Sequence, residues 1–270
     1  MSLTSNAAHL EPGLTQDKDG LKWPEPPKHA SKEAEQAYSK IRLAAAFRIF
    51  AHFGFDSSIA GHISYRDPIR PDHFWVNPLG VHFSRIKVSD LVLVDHGGRI
   101  VEGHHPINAA AYAIHSRIHM ARPDVVAAAH SHSRFCTTYA SLGKKLPIVT
   151  QEACAFYNDH AVLNHYHGIA ADVSEGDQIA QALGKNKAVI CVNHGAFTVG
   201  HSIEEAVSWY IRMERACEQV LMATVAGEPV EIPPAVAELT RKQVGSPKAG
   251  WYGLQPWMDK VLAEEPETDH

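Results

Sequence analysis

Residues Val126–Phe135 read VAAAHSHSRF, a run of small apolar residues that ends in two histidines one residue apart. Side chains alternate across a strand, so His130 and His132 fall on one face, roughly 7 Å apart along the chain. That spacing lets two imidazoles converge on one ion. A polar strand end with incidental histidines reads the same way, and nineteen histidines in the chain make close pairs arise by chance. Immediately upstream, NAAAYAIHSRIHMARPD (108–124) has helical spacing and stops before Pro123, which disfavours helical backbone in the residue it follows. A helix feeding a buried strand is the unit from which an α/β domain is assembled.

The same grammar extends in both directions. SKEAEQAYSKIRLAAAFRIFAHFG (31–54) predicts a helix with Ser31 as N-cap and Gly54 as its stop. AGHISYRDP (60–68) and HFWVNPLGVHF (73–83) read as short strands around a proline-containing turn, and LVLVDHGGRIVEG (91–103) as a hairpin bent at Gly97-Gly98. Downstream, LPIVTQEACAF (146–156) is strand-like, SEGDQIAQALGKN (174–186) a short helix and AVICVNHG (188–195) a buried strand. SIEEAVSWYIRMERACEQVLMATVAG (202–227) is a long amphipathic helix. No repeat or linker interrupts this run, so one α/β domain spans 31–227. Residues 1–30 form a polar, proline-rich arm, and 228–270 a Pro/Trp-rich tail with a short helix, aromatic enough to pack against something such as a neighbouring subunit.

Composition narrows the function classes. The chain has 270 residues, 45% hydrophobic and 20% charged, with a formal net charge of −5 and no long basic run. It therefore lacks the electrostatic footprint of a nucleic-acid or anionic-membrane binder. No apolar run reaches bilayer length. The four cysteines form no CxxC, and the start carries no signal-peptide pattern, which together favour a reduced, cytoplasmic setting.

His194 is a third imidazole of interest. It stands where a buried strand gives way to Gly195, a residue that permits close backbone approach. Three histidines would leave open positions on a divalent ion, as catalytic sites require. Spacing alone does not bring His194 to His130 and His132.

Four segments in order, AGHISYRDP, VNPLGVHFSRIKVSDLVLVDHGGRIVEG, ARPDVVAAAHSHS and VNHGAFTVG, resemble the class II aldolase/adducin family over roughly residues 40–225. The resemblance implies a three-layer α/β/α sandwich with a mainly antiparallel central sheet. It also implies a homotetramer with active sites between subunits, and His130, His132 and His194 as ligands of one divalent metal per chain. Zinc comes first among the ions, with iron(II), manganese or cobalt as alternatives.

The chain departs from the sugar-phosphate members in informative places. Their Ser-Ser-Glu run, which holds the substrate phosphate and supplies a metal-binding base, falls on Ala109, Ala110 and Ala111. Their phosphate-binding asparagine falls on His62, within Gly61-His62-Ile63-Ser64. A tyrosine proton donor of the fuculose-phosphate enzymes falls near Gln151. Three alanines neither bind phosphate nor move a proton, so the expected ligand is an unphosphorylated small molecule, a 2-oxo acid, 2-hydroxy acid or hydroxycarbonyl. Glu152 is the first candidate for a replacement base, with Tyr157, His62 and His160 behind it; Asn193 orients the turn before His194.

The expected function is a metal-dependent lyase acting on a carbon–carbon bond beside a carbonyl. The family's non-haem iron(II) oxygenases of aminocoumarin pathways suggest an alternative, oxidative decarboxylation of an aromatic 2-oxo or 2-hydroxy acid. A catalytically silent, adducin-like binding module is the third reading. The missing Ser-Ser-Glu favours it; the retained histidines argue against it.

Overall fold

A computed structural model describes residues 24–168 and 173–269. Most of the expected 1–30 arm lies outside the described residues; its described end, 24–30, has no regular structure. The first element is α1 (Lys32–His52), whose N-terminus is capped by the Ser31 side chain accepting from Ala34 N–H. The strands β1 (His62–Arg66), β2 (His73–Val76), β3 (Val92–Asp95) and β4 (Ile100–Glu102) follow as an antiparallel meander. Next come α2 (Ala109–Ala121), β5 (Ala127–Ser131) and the short α3 (Arg134–Ala140), then β6 (His160–Leu163), α4 (Val173–Leu183), β7 (Ala188–Cys191) and β8 (Gly195–Gly200). The chain closes with α5 (Ile203–Ala226), α6 (Pro234–Val244) and α7 (Pro247–Glu264).

Eight strands make one sheet in the order β4-β3-β2-β1-β5-β8-β7-β6. Every pairing is antiparallel except β6 with β7. Alternation along the central strands divides the core in two. Ile63, Tyr65, Ala127, Ala129, Ala188 and Ile190 face the layer of α1, α3, α5 and α7. Ala128, Val189, Cys191, Phe197 and Val199 face α2 and α4. The result is the expected α/β/α sandwich on a mostly antiparallel sheet. No helix among the described residues is long and apolar enough to cross a membrane.

Two segments differ from the sequence reading. LPIVTQEACAF forms no strand; it runs through turns into a 3-10 helix at Ala153–Phe156, buried beside α5 and α6. Its residues lack alternation, and all four of the 3-10 helix are buried at once, which a one-sided strand does not do. The strand is instead the next segment, His160–Leu163, too short to stand out. The 228–270 tail carries two helices rather than one short one, and α7 packs along α5 and α1 with Leu254, Met258 and Val261 buried.

Candidate metal centre

The strand β5 lies between β1 and β8, and its register sets His130 opposite His62 on one side and Phe197 on the other. His130 is fully buried, its ring stacked on Phe197 at 4.0 Å with planes 8° apart. Its Nδ1 lies 2.9 Å from the Ala196 carbonyl. A carbonyl only accepts, so Nδ1 carries the proton and Nε2 holds a lone pair; Nε2 is buried with no hydrogen-bond partner. His132 lies just beyond the end of β5 and is exposed.

His194 comes from the tight β7–β8 connection. Asn193 occupies the left-handed region there at φ 58°, a conformation asparagine tolerates better than most residues. Gly195 follows at φ 146°, and a Cβ on it would sit 3.3 Å from the Ser131 carbonyl oxygen and 3.6 Å from His130 Cε1. The turn therefore brings His194 against β5.

The three rings meet. Their centroids are 4.8 Å (His130–His194), 5.1 Å (His130–His132) and 5.1 Å (His132–His194) apart, with planes 74–83° from one another. One nitrogen from each lies within 4.8 Å of the others. Imidazoles radiating from one ion at about 2.0–2.1 Å from nitrogen would have centroids roughly 5 Å apart. Burial lowers the pKa of all three, His130 furthest below its usual range and His194 to about 4. They are thus neutral near pH 7, the state in which imidazole ligates. The arrangement fits a divalent ion, the orphaned buried Nε2 of His130 above all.

The surroundings include groups that the sequence reading did not single out. Glu175, in the first turn of α4, places Oε1 3.6 Å from His194 Nδ1. Helix α4 comes this close because Gly176 has no side chain: a Cβ there would overlap the Ala113 carbonyl of α2. An acid in a first helical turn reads from sequence as a complement to the helix dipole, and nothing local tells that it will meet His194. On the other side of His130, His62 forms a buried chain with His115, Ser64 and His119.

The remaining candidates are distributed as follows. His62 is the one brought beside the triad, 5.1 Å between its ring centroid and that of His130. Glu152 caps the buried 3-10 helix and lines a cavity of about 260 Å3 with Arg212, Arg215, Phe53 and Trp257, none of them a triad residue. Tyr157 ends the same 3-10 helix and packs on the core of the α5 side. His160 has both nitrogens engaged, Nδ1 with the Phe156 carbonyl and Nε2 with Leu146 N–H, and is structural. The alanines opposite the family's Ser-Ser-Glu open α2 under the Asn108 cap, and Ala111 is buried among Phe74, Val76, Val92 and Val94.

The Class II Aldolase and Adducin N-terminal domain matches residues 41–221. The chain belongs to the class II aldolase and adducin family. It is 40% identical over 245 residues to the decarboxylase NovR of Streptomyces niveus, covering 90% of this chain and 91% of that one. It is 39% identical to the 4-hydroxy-3-prenylphenylpyruvate oxygenase/4-hydroxy-3-prenylbenzoate synthase of Streptomyces roseochromogenus subsp. oscitans, covering 90% and 88%. Among solved structures, an L-fuculose 1-phosphate aldolase from Glaciozyma antarctica PI12 superposes with a TM-score of 0.85 at 42% identity, covering 91% and 97%. These family members are named as enzymes, and their names divide between aldolase and oxygenase/decarboxylase chemistry.

Proposed function

We propose that this protein is a divalent-metal-dependent lyase acting beside the carbonyl of an unphosphorylated 2-oxo or hydroxycarbonyl compound. The observation that carries the reading is the sealed, unpartnered Nε2 of His130 facing two further neutral imidazoles at ligating separation. An ion held by His130, His132 and His194 supplies Lewis-acid polarisation of a carbonyl or carboxyl oxygen. Zinc is the first choice and iron(II), manganese or cobalt the alternatives.

The protein's own groups do the rest. Exposed His132 leaves the centre open for a small ligand, while Phe197 and the sheet exclude water from behind. With alanines at 109–111, this end of α2 offers no hydroxyl or carboxylate to a phosphate or a proton. Proton transfer falls first to His62, beside the triad. Glu152 and Tyr157 lie away from it within one chain, so they enter only from an adjacent subunit, in keeping with a tetramer whose sites sit between chains. The cytoplasmic setting expected from the cysteines agrees with this chemistry.

The two Streptomyces relatives favour a second reading, iron(II)-dependent oxidative decarboxylation of an aromatic 2-oxo or 2-hydroxy acid. The experiment is metal reconstitution followed by parallel assays. Zinc-loaded protein is given pyruvate with a panel of aldehydes and scored for new carbon–carbon bonds. Iron-loaded protein is given 4-hydroxyphenylpyruvate and mandelate and scored for oxygen uptake and carbon dioxide. Zinc-dependent bond formation supports the lyase; iron-dependent oxygen uptake alone replaces it with the second reading. Inactivity in both, with no metal bound, points to the silent binding module.

A further inference from the structure

The cavity beside Glu152 draws three polar side chains from one face of α5. Ser208, Arg212 and Arg215 stand at i, i+4 and i+7, a spacing that sets them on consecutive helical turns. Ser208 is 4% exposed, yet its hydroxyl has no hydrogen-bond partner among the described residues. Helical serines often return that hydroxyl to a carbonyl one turn back. This one does not, and its oxygen is open to the cavity rather than sealed. Arg212 makes one hydrogen bond, from Nη1 to the Val244 carbonyl at 3.0 Å, and its guanidinium carbon lies 5.2 Å from the Trp209 ring centre. Arg215 is exposed at the rim, 6.0 Å over the ring of Phe53. Neither arginine forms an ion pair among the described residues. Burial lowers the pKa of the Arg212 guanidinium, and the charge of Glu152 opposes this only in part.

The facing wall is α7, with Gly253 in the helix interior. Glycine weakens a helix there relative to alanine, so the position calls for a packing reason. A Cβ on Gly253 would sit 3.0 Å from Arg212 Nη2 and 3.1 Å from Ser208 Oγ, against both donors at once. Its absence leaves the two donors room for a third body. Phe53, Ile211, Leu254 and Trp257 surround them with apolar and aromatic surface. The volume of about 260 Å3 is below the roughly 300–1,000 Å3 of sites for drug-sized molecules, so the occupant is compact. The charges lining the cavity are Arg212 and Arg215 against Glu152, an excess of one positive charge.

We infer that this cavity is a second small-molecule site, which binds a monocarboxylate with a compact apolar or aromatic body. The carboxylate accepts from the guanidinium groups of Arg212 and Arg215 and from the Ser208 hydroxyl, and charge-assisted bonds to an arginine fork are the strong kind. The body of the ligand rests on Phe53, Leu254 and Trp257. A phosphate dianion matches poorly, since one surplus cation leaves half its charge unbalanced and it has no apolar part to set on those walls. No residue of the triad lines the cavity, so within one chain the acid binds without the metal centre. The inference stands whichever chemistry the triad performs.

Isothermal titration of the full-length protein with benzoate, before and after treatment with a chelator, tests this. Benzoate should bind at one per chain with a dissociation constant below about 1 mM, and chelation should leave the binding unchanged. Benzamide has the same shape without the charge and should bind about tenfold more weakly or worse, because hydrogen bonds to a charged group are the stronger ones. Equimolar inorganic phosphate should not displace benzoate. Arg215→Gln changes an exposed residue that the core does not need, and Gly253→Ala fills the space against both donors. Each should weaken benzoate by about tenfold. No binding to the unsubstituted protein, equal affinity for benzamide, or displacement by phosphate overturns the inference. Loss of binding on chelation assigns the acid to the metal centre and overturns it too, as does an unchanged affinity in both variants.

Discussion

The two faces of β5 are built from nearly the same residues and serve opposite ends. On one, Ala127 and Ala129 meet a layer of helices packed with Phe47, Phe50, Trp209 and Leu254. On the other, Ala128 is followed by His130, and the neighbouring strand adds His62 and Ser64 beneath α2. The first face gains stability from apolar area removed from water, on the order of 25 cal/mol per Å2. The second buries imidazoles that must be held neutral and hydrogen-bonded, an arrangement with no comparable gain in stability. One strand thus separates what holds the domain together from what the domain holds.

Substitutions should respect that division. The largest effect is expected at the centre itself: His132→Ala should abolish stoichiometric metal uptake, measured by elemental analysis after reconstitution, while the circular dichroism of the metal-free protein stays unchanged. A variant that still binds one ion per chain would remove His132 from the ligand set. On the opposite face, Phe47→Ala should cost about 3–5 kcal/mol of unfolding free energy, read by urea denaturation, yet leave zinc affinity per folded molecule intact.

Acid should attack the polar face selectively. Burial pushes His115 and His119 each down to about 3, against about 6.5 in an unfolded chain. Above the unfolded value neither state binds these protons. As pH falls through the window from about 6.5 to about 3, only the unfolded state takes them up, so stability drops by about 1.4 kcal/mol per pH unit for each ring. Urea midpoints of metal-free protein between about pH 7 and about pH 5 check this, and a flat profile would show that water reaches the α2 face. The smallest effect is assigned to Glu175→Gln. A carboxylate next to a ligating histidine typically contributes 10–100-fold to metal affinity, and chelator competition should show a loss of that size with no change in ion stoichiometry.

Much of this division was legible in the residues. The alternation in AAAHS gave β5 and the shared face of His130, and the Asn-His-Gly turn gave the place where a third imidazole could approach. The resemblance then joined them. What stayed hidden was long-range. His115 reads as one more polar position on an amphipathic helix until α2 is laid against β1, and Glu175 looks like an ordinary N-terminal acid until Gly176 lets α4 settle onto α2. The surroundings of Glu152 were equally hidden. Its strand-like neighbourhood is a buried 3-10 turn, so the carboxylate faces Arg212 and Arg215 rather than the triad.

The unequal settings of the first two histidines carry a kinetic meaning. His130 is clamped by a carbonyl, a stacked phenyl ring and two flanking strands, whereas His132 stands outside the sheet with solvent at its side. An ion held here would have His130 on its buried side and His132 on its solvent side. A chelator would reach it from the His132 side, so exchange should depend on that exposed ring rather than on the sealed one.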